Sequence, residues 1–439
     1  MEKLLEIASK KTDQAEIYSL DETSDEIRFE DGKLKDIESK SQSGISLRMI
    51  KEGKLGFAYT KNLINPEETL QNAFASLKGG VEAPFSLPLT RLDLPLKTYD
   101  PSIEGLSNAD IVEECKRVCD IIAPKTKGQV NLSAGRKIVR IRLINSQGTD
   151  LSSTSSFYFL GTEILYPGSY SSIHRGLIGK RFIQADNEYT NFLLDMYNPS
   201  GREVEPRGGK MKVLFLPESM YVLIWRVESA TSGRNIHLKV SPIMGKLGEK
   251  VFDEKLTIFD DPLNDPVPGA RGFDDEGVPC RTFSIIEKGV VANFYYDLNY
   301  ATKMGVESTG HGYKASMWGG ETVSFKPSPS LEHLYIRTGS KSFPELVRSI
   351  EKGIIVAGAM GAHSGNIQNG DFSIGLSPGL YVEKGEILGH VKDAMIAGNV
   401  FDVMKNVVDL ENAYHPAPTG TFPAVLFENV SVATRSNGQ

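Results

Sequence analysis

Apolar positions along this chain follow two periods and switch between them often. "IRFEDGKLKDI" and "ISLRMIKEGKLGFAYT" alternate apolar and polar residues around Asp31-Gly32 and Glu52-Gly53, which predicts two hairpins. "KIVRIRLINSQGTDLSSTSSFYFLG" predicts a third around Ser146–Gly148, and "TFSIIEKGVVANFYY" a fourth at Lys288-Gly289. "KVLFLP" and "FPAVLFENVSVAT" read as strands, and "DFSIGLSPGLYVEKGEILGHV" as a meander.

Helical spacing interrupts these runs. It covers residues 2–10 and "NPEETLQNAFASLKGG", where Asn65 caps, Pro66 takes the first position and Gly79 ends the helix. Ser107 caps a helix to about Ile122. A capping box from Ser342 to Glu345 starts one that ends at Gly353, and Asn399 caps "NVFDVMKNVVDL". In "PESMYVLIWRVESATSGRN", residues 217–235, Pro217 suits a first turn and Gly233 a stop. Met220, Leu223, Ile224 and Val227 recur there at helical spacing. Hairpins are many and strands do not alternate strictly with helices, so the class is α+β with mixed, largely antiparallel sheets.

Prolines 84, 88, 95 and 101 make 79–105 a connecting segment, and "YNPSGREVEPRGGK" at 197–210 marks a boundary. With 439 residues, too many for one ordinary core, two main regions are expected. They divide as an N-terminal α+β part (1–80), a linker with a central α+β part (81–204) and a β-rich α+β domain (205–439).

Composition narrows the function. Charged residues are 24% of the chain and the net charge is −7, as in a globular protein without a long basic run. Nucleic-acid binding is therefore disfavoured. "MEKLLEIASKK" lacks an apolar signal core, and runs such as "MYVLIW" are far short of a membrane span. Three cysteines, Cys115, Cys119 and Cys280, fit a reducing compartment better than a disulfide framework. A cytoplasmic protein without membrane attachment is expected.

Candidate chemistry is sparse. The histidines are His174, His237, His311, His333, His363, His390 and His415, and no two fall within one helical turn, so no local zinc signature exists. Cys115 and Cys119 share a helix face with no histidine nearby and read as packing thiols. Asp274-Asp275-Glu276 in "GFDDEGVPC" could hold a cation or supply a general base, but a tight turn with an aspartate bonding local N–H groups is the favoured reading. "GVESTGHGYKASMWGG" and "GAMGAHSGNIQNGDFS" match neither a dinucleotide fingerprint nor a phosphate loop. His363-Ser364-Gly365 does not fit a nucleophile elbow.

Longer segments carry a resemblance. "RGFDDEGVPCRTFSIIEKGVVANFYYDLNYATKMGVESTGHG", "NGDFSIGLSPGLYVEKGEI" and "AMIAGN" together resemble the core of the TldD/PmbA family, also called TldD/TldE. "GISLRMIKEGKLGFAYT" resembles its N-terminal sheet. The resemblance implies a two-subunit intracellular zinc metalloprotease that trims unfolded peptides, including modified-peptide precursors and an antitoxin. TldD carries zinc through H-E-x-x-x-H and a further cysteine near its C-terminus, and PmbA/TldE is the paralogous partner without that motif. The family's older name, modulator of DNA gyrase, rests on indirect phenotypes, and this acidic chain adds no support for DNA contact. Anchored on "GKLGEKV" at 245–251, the motif falls on "WRVESA": Trp225 and Ala230 stand at the histidine positions and Arg226 at the glutamate. No cysteine follows Cys280. The resemblance thus implies the PmbA/TldE-type subunit, with no metal or cofactor of its own and zinc in a TldD-type partner.

Asp274, Asp275, Glu276, His311 and His363 are the candidates for substrate or partner contact, and a homodimer is compatible with the reading. Two alternatives stand beside it. One is an independent metal-dependent hydrolase using Asp274-Asp275-Glu276. The other is a regulatory binding protein without proteolysis.

Overall fold

The computed structural model describes residues 1–62, 65–315 and 319–435. The first half builds a six-stranded antiparallel sheet in the order Lys54–Thr60, Lys33–Lys51, Gln14–Glu30, Gln129–Asn145, Asp150–Leu165, Ser172–Gly179. The turns fall where the sequence places them. Asp31 and Gly32 take φ of 50° and 69°, and Glu52 and Gly53 take 51° and 70°, the left-handed pair that a two-residue hairpin of this twist requires. Helices Glu2–Ser9 and Pro66–Ser76 bury Leu4, Ala8, Leu70 and Ala73 against Ile17 and Leu47 at one end of the sheet. Helices Asn108–Ile122 and Asn187–Tyr197 share a second apolar cluster with Ile27, Tyr158 and Ile173. Cys115 and Cys119 lie in that cluster as buried free thiols.

The second half centres on a ten-stranded mixed sheet and a six-stranded sheet of short strands. In the larger one, Gly209–Phe215 lies between Val425–Ala433, antiparallel, and Lys352–Val356, parallel. In the smaller one, Ile258–Asp260 pairs with Phe283–Glu287 and with Leu334–Ile336. The second apolar cluster also contains Leu214, Ile355, Leu380 and Leu426, so it runs continuously from the first sheet to the ten-stranded one. The fold is α+β with mostly antiparallel pairing.

Four local expectations are corrected. Gly233 does not end a helix: Ser232 turns extended (ψ 126°) and Gly233 opens a short helix, Gly233–His237. A Cβ on Gly233 would lie 2.1 Å from the Tyr296 ring, so close packing explains the glycine. The helix behind the Ser342–Glu345 box stops at Arg348, and Gly353 belongs to a strand against Lys212, whose carbonyl a Cβ would meet at 2.4 Å. The Asn399-capped helix is only Val400–Val403, because Val407–Leu410 pairs with the last strand. The meander is partly a hairpin: Gly379–Glu383 pairs with Glu386–Val391, whereas Asp371–Leu376 pairs with Met395–Asn399 across the sheet.

Candidate functional site

The helix Tyr221–Thr231 carries the "WRVESA" positions, and its apolar residues Val222, Leu223, Ile224 and Val227 are fully or nearly fully buried in the largest core cluster. Arg226 is the largest fully buried side chain of the protein's described residues. Its guanidinium donates to four backbone carbonyls: Asp371 (2.7 Å), Val222 (2.7 Å), Ser364 (2.9 Å) and Ala362 (3.0 Å). Burial pulls its pKa down to about 10, which leaves the group cationic near neutral pH. A planar fork with five N–H donors suits this task. Arg226 therefore fastens the helix to the loop before Asp371. Trp225 is half-buried and Ala230 is packed in the core. His363 sits exposed on that fastened loop, between the two carbonyls that Arg226 holds.

The acidic run lies elsewhere and is buried throughout. Asp274 closes a turn: Oδ1 accepts from the backbone N–H groups of Glu276 and Val278, each at 2.9 Å, and Oδ2 from that of Gly312 at 2.8 Å. Asp275 accepts from Lys314 N–H and from the Arg271 guanidinium, both at 2.8 Å. Glu276 accepts from Arg48 at 2.5 Å and from Leu298 N–H at 2.6 Å. Arg48 also holds Glu16, through Nε at 3.1 Å. Lys314 donates to Ser46 Oγ at 2.9 Å and to Phe325 O at 2.7 Å, and burial followed by the charge of Arg48 lowers its pKa to about 7. Glu16, Ser46 and Arg48 belong to the first sheet, so this polar network ties that sheet to the second half of the chain. The three carboxylates face different partners and do not converge on one point.

His311 is 1% exposed, with Nδ1 2.8 Å from Thr309 Oγ1 and Nε2 3.4 Å from Asp260 Oδ2. Asp260 in turn accepts His333 N–H at 2.8 Å. His333 opens onto a cavity of about 430 Å³, whose lining also includes Glu228, Glu332, Tyr335 and Thr419. Burial, then the nearby charges of Glu332 and Asp260, pushes Glu228 up to about 8. Burial holds the His333 imidazole below its ordinary value, which favours its neutral form. Glu228 is on the same helix as Arg226, two residues on, so the cavity abuts the "WRVESA" positions. Glu228, Glu332 and His333 were not among the candidates read from the sequence, since only the fold brings residues 228 and 332 together.

Residues 208–434 match the family model for the PmbA/TldA metallopeptidase C-terminal domain. The chain belongs to the PmbA/TldD family. Residues 15–78 match the model for domain 1 of the same metallopeptidases. Among solved structures, TldE from Thermococcus kodakarensis superposes with a TM-score of 0.88 over 99% of both chains, at 25% identity. An uncharacterized protein of Methanocaldococcus jannaschii is 24% identical over 94% of this chain and 95% of its own. Metalloprotease PmbA of Escherichia coli O157:H7 is 22% identical over 98% and 94%. Among the described residues, no helix is long and apolar enough to cross a membrane.

Proposed function

We propose that this chain is the PmbA/TldE-type, non-catalytic subunit of a two-subunit zinc metalloprotease acting on unfolded peptides, with zinc held by a TldD-type partner. One observation carries the reading: Arg226 occupies the position where the resemblance places the water-activating glutamate, and it is turned into the core and used up by four carbonyls. A guanidinium cannot act as a general base. The flanking histidine positions hold an indole and a methyl group, Trp225 and Ala230, neither of which binds zinc. The likeness to a TldE structure over the whole chain supports the same assignment.

In this role the chain contributes shape. Its many antiparallel strands suit recognition of extended peptide backbone, which tolerates varied side chains. The buried acidic run is a strut between the two halves rather than a catalytic pair. A cytoplasmic location and a heterodimer complete the proposal. Co-expression with a TldD-type subunit tests it: the two should co-purify and cleave a disordered peptide in a chelator-sensitive manner. Zinc-dependent cleavage by this chain alone would contradict it.

A further inference from the structure

We infer that the cavity beside the Tyr221–Thr231 helix is a subsite for a protonated lysine side chain of a bound peptide. Three elements meet there: Glu228 from the helix, Glu332 and His333 from the segment entering strand Leu334–Ile336, and Thr419 from the turn before strand Gly420–Phe422.

The acids of the cavity lack a counter-ion among the described residues. Among the described residues neither Glu228 nor Glu332 has an ion-pair partner, and the only side chain bonded to either carboxylate is the Ser330 hydroxyl, 2.7 Å from Glu332. Arg271, the cation nearby, is committed to Asp275 at 2.8 Å. Burial and mutual repulsion favour the protonated forms of the two carboxyls, and a ligand cation would offset both by favouring the charged forms. A second observation is independent of the acids. His333 and Thr419 line the cavity, and their Nε2 and Oγ1 atoms are buried with no hydrogen-bond partner among the described residues. Buried polar atoms are rarely left so, and both can accept from an N–H donor.

Shape selects among cations. Val267, Leu331 and Tyr335 supply apolar wall to the cavity, which suits the methylene stem of a lysine with its ammonium at the carboxylates. An ammonium has three donors and no acceptor, and the two carboxylates, His333 Nε2 and Thr419 Oγ1 can each accept from it. The inference takes from the proposed function only that the ligand is a peptide. It does not depend on the partner subunit or on catalysis.

The test uses the purified full-length chain alone. Anisotropy titrations compare three fluorescein-labelled disordered peptides: N-acetylated with one lysine, the same with norleucine in its place, and the norleucine peptide with a free N-terminus. The lysine peptide should bind at least about tenfold tighter than either norleucine peptide, equivalent to about 1.4 kcal/mol. Glu228→Gln and Glu332→Gln should each erase most of that preference while leaving norleucine-peptide binding and the circular dichroism spectrum unchanged.

Equal binding of the lysine and acetylated norleucine peptides overturns the inference, as does no measurable binding of the lysine peptide. A preference that survives in the double variant, or one reproduced by the free N-terminus, also overturns it. Stoichiometric zinc or calcium binding lost in Glu228→Gln would reassign the cavity as a metal site. Co-purification with a TldD-type subunit is read separately, so failure here leaves the subunit assignment standing.

Discussion

Arg226 Nε donates to the carbonyl oxygen of Asp371 at 2.7 Å, joining a helix to the start of a strand 145 residues further along the chain. The other guanidinium nitrogens reach Val222, Ala362 and Ser364, so one cation organises both sides of the contact. Removing it leaves the carbonyls of Ala362, Ser364 and Asp371 without that donor beside a fully buried position. Arg226→Met should cost about 3 kcal/mol or more in urea denaturation. Arg226→Lys should recover little of it, because a single ammonium cannot span the acceptors that the planar fork reaches. A loss below about 1 kcal/mol for Arg226→Met would show that the clamp is dispensable.

Glu228 predicts a pH-dependent variant. Its folded pKa of about 8 lies above the ordinary 4.5, so the folded state retains a proton that the unfolded state loses. The penalty is absent below pH 4.5, grows as pH rises and levels off above about 8. Glu332 and Asp260 raise the pKa further by their negative charge, and Arg271, the nearby cation, is bound to Asp275. Glu228→Gln should therefore match the parent near pH 4.5 and exceed it by about 1–2 kcal/mol at pH 9. That figure is below the full shift because the cavity admits solvent. Denaturation midpoints across this range check it, and a constant difference would contradict it.

Glu276 and Arg48 lie 228 residues apart and meet at 2.5 Å in the network that binds the first sheet to the rest. Glu276→Gln should destabilise by about 3 kcal/mol, since it weakens the neutralisation of a buried guanidinium. The double variant Arg48→Met, Glu276→Gln should lose less than the sum of the single losses, with a coupling of about 1–3 kcal/mol. Strict additivity would mean the pair does not act as a unit.

Local chemistry was readable in the sequence wherever the deciding residues are neighbours. Asp31-Gly32 and Glu52-Gly53 specify their turns, and the Ser107 cap and the Ser342–Glu345 capping box form as the spacing implies. The tight turn at Asp274 was legible for the same reason. Reach across the chain was not legible. Nothing near Gly233 announces the Tyr296 ring, and nothing near Gly353 announces the Lys212 carbonyl, so both glycines resembled helix ends. The cavity was hidden similarly, because Glu228 and Glu332 acquire their character only when the fold sets them together.

The subunit assignment is tested most directly by metal content and peptide cleavage, measured on the purified chain before and after adding a TldD-type subunit. The account predicts no stoichiometric zinc and no cleavage from the chain alone, and chelator-sensitive cleavage of a disordered peptide once the partner is present. It also predicts that Trp225→His, Arg226→Glu and Ala230→His together create no protease, because the further cysteine ligand and the groups that would orient the new ligands are missing. One equivalent of zinc and chelator-sensitive cleavage by the unmodified chain alone would contradict the account.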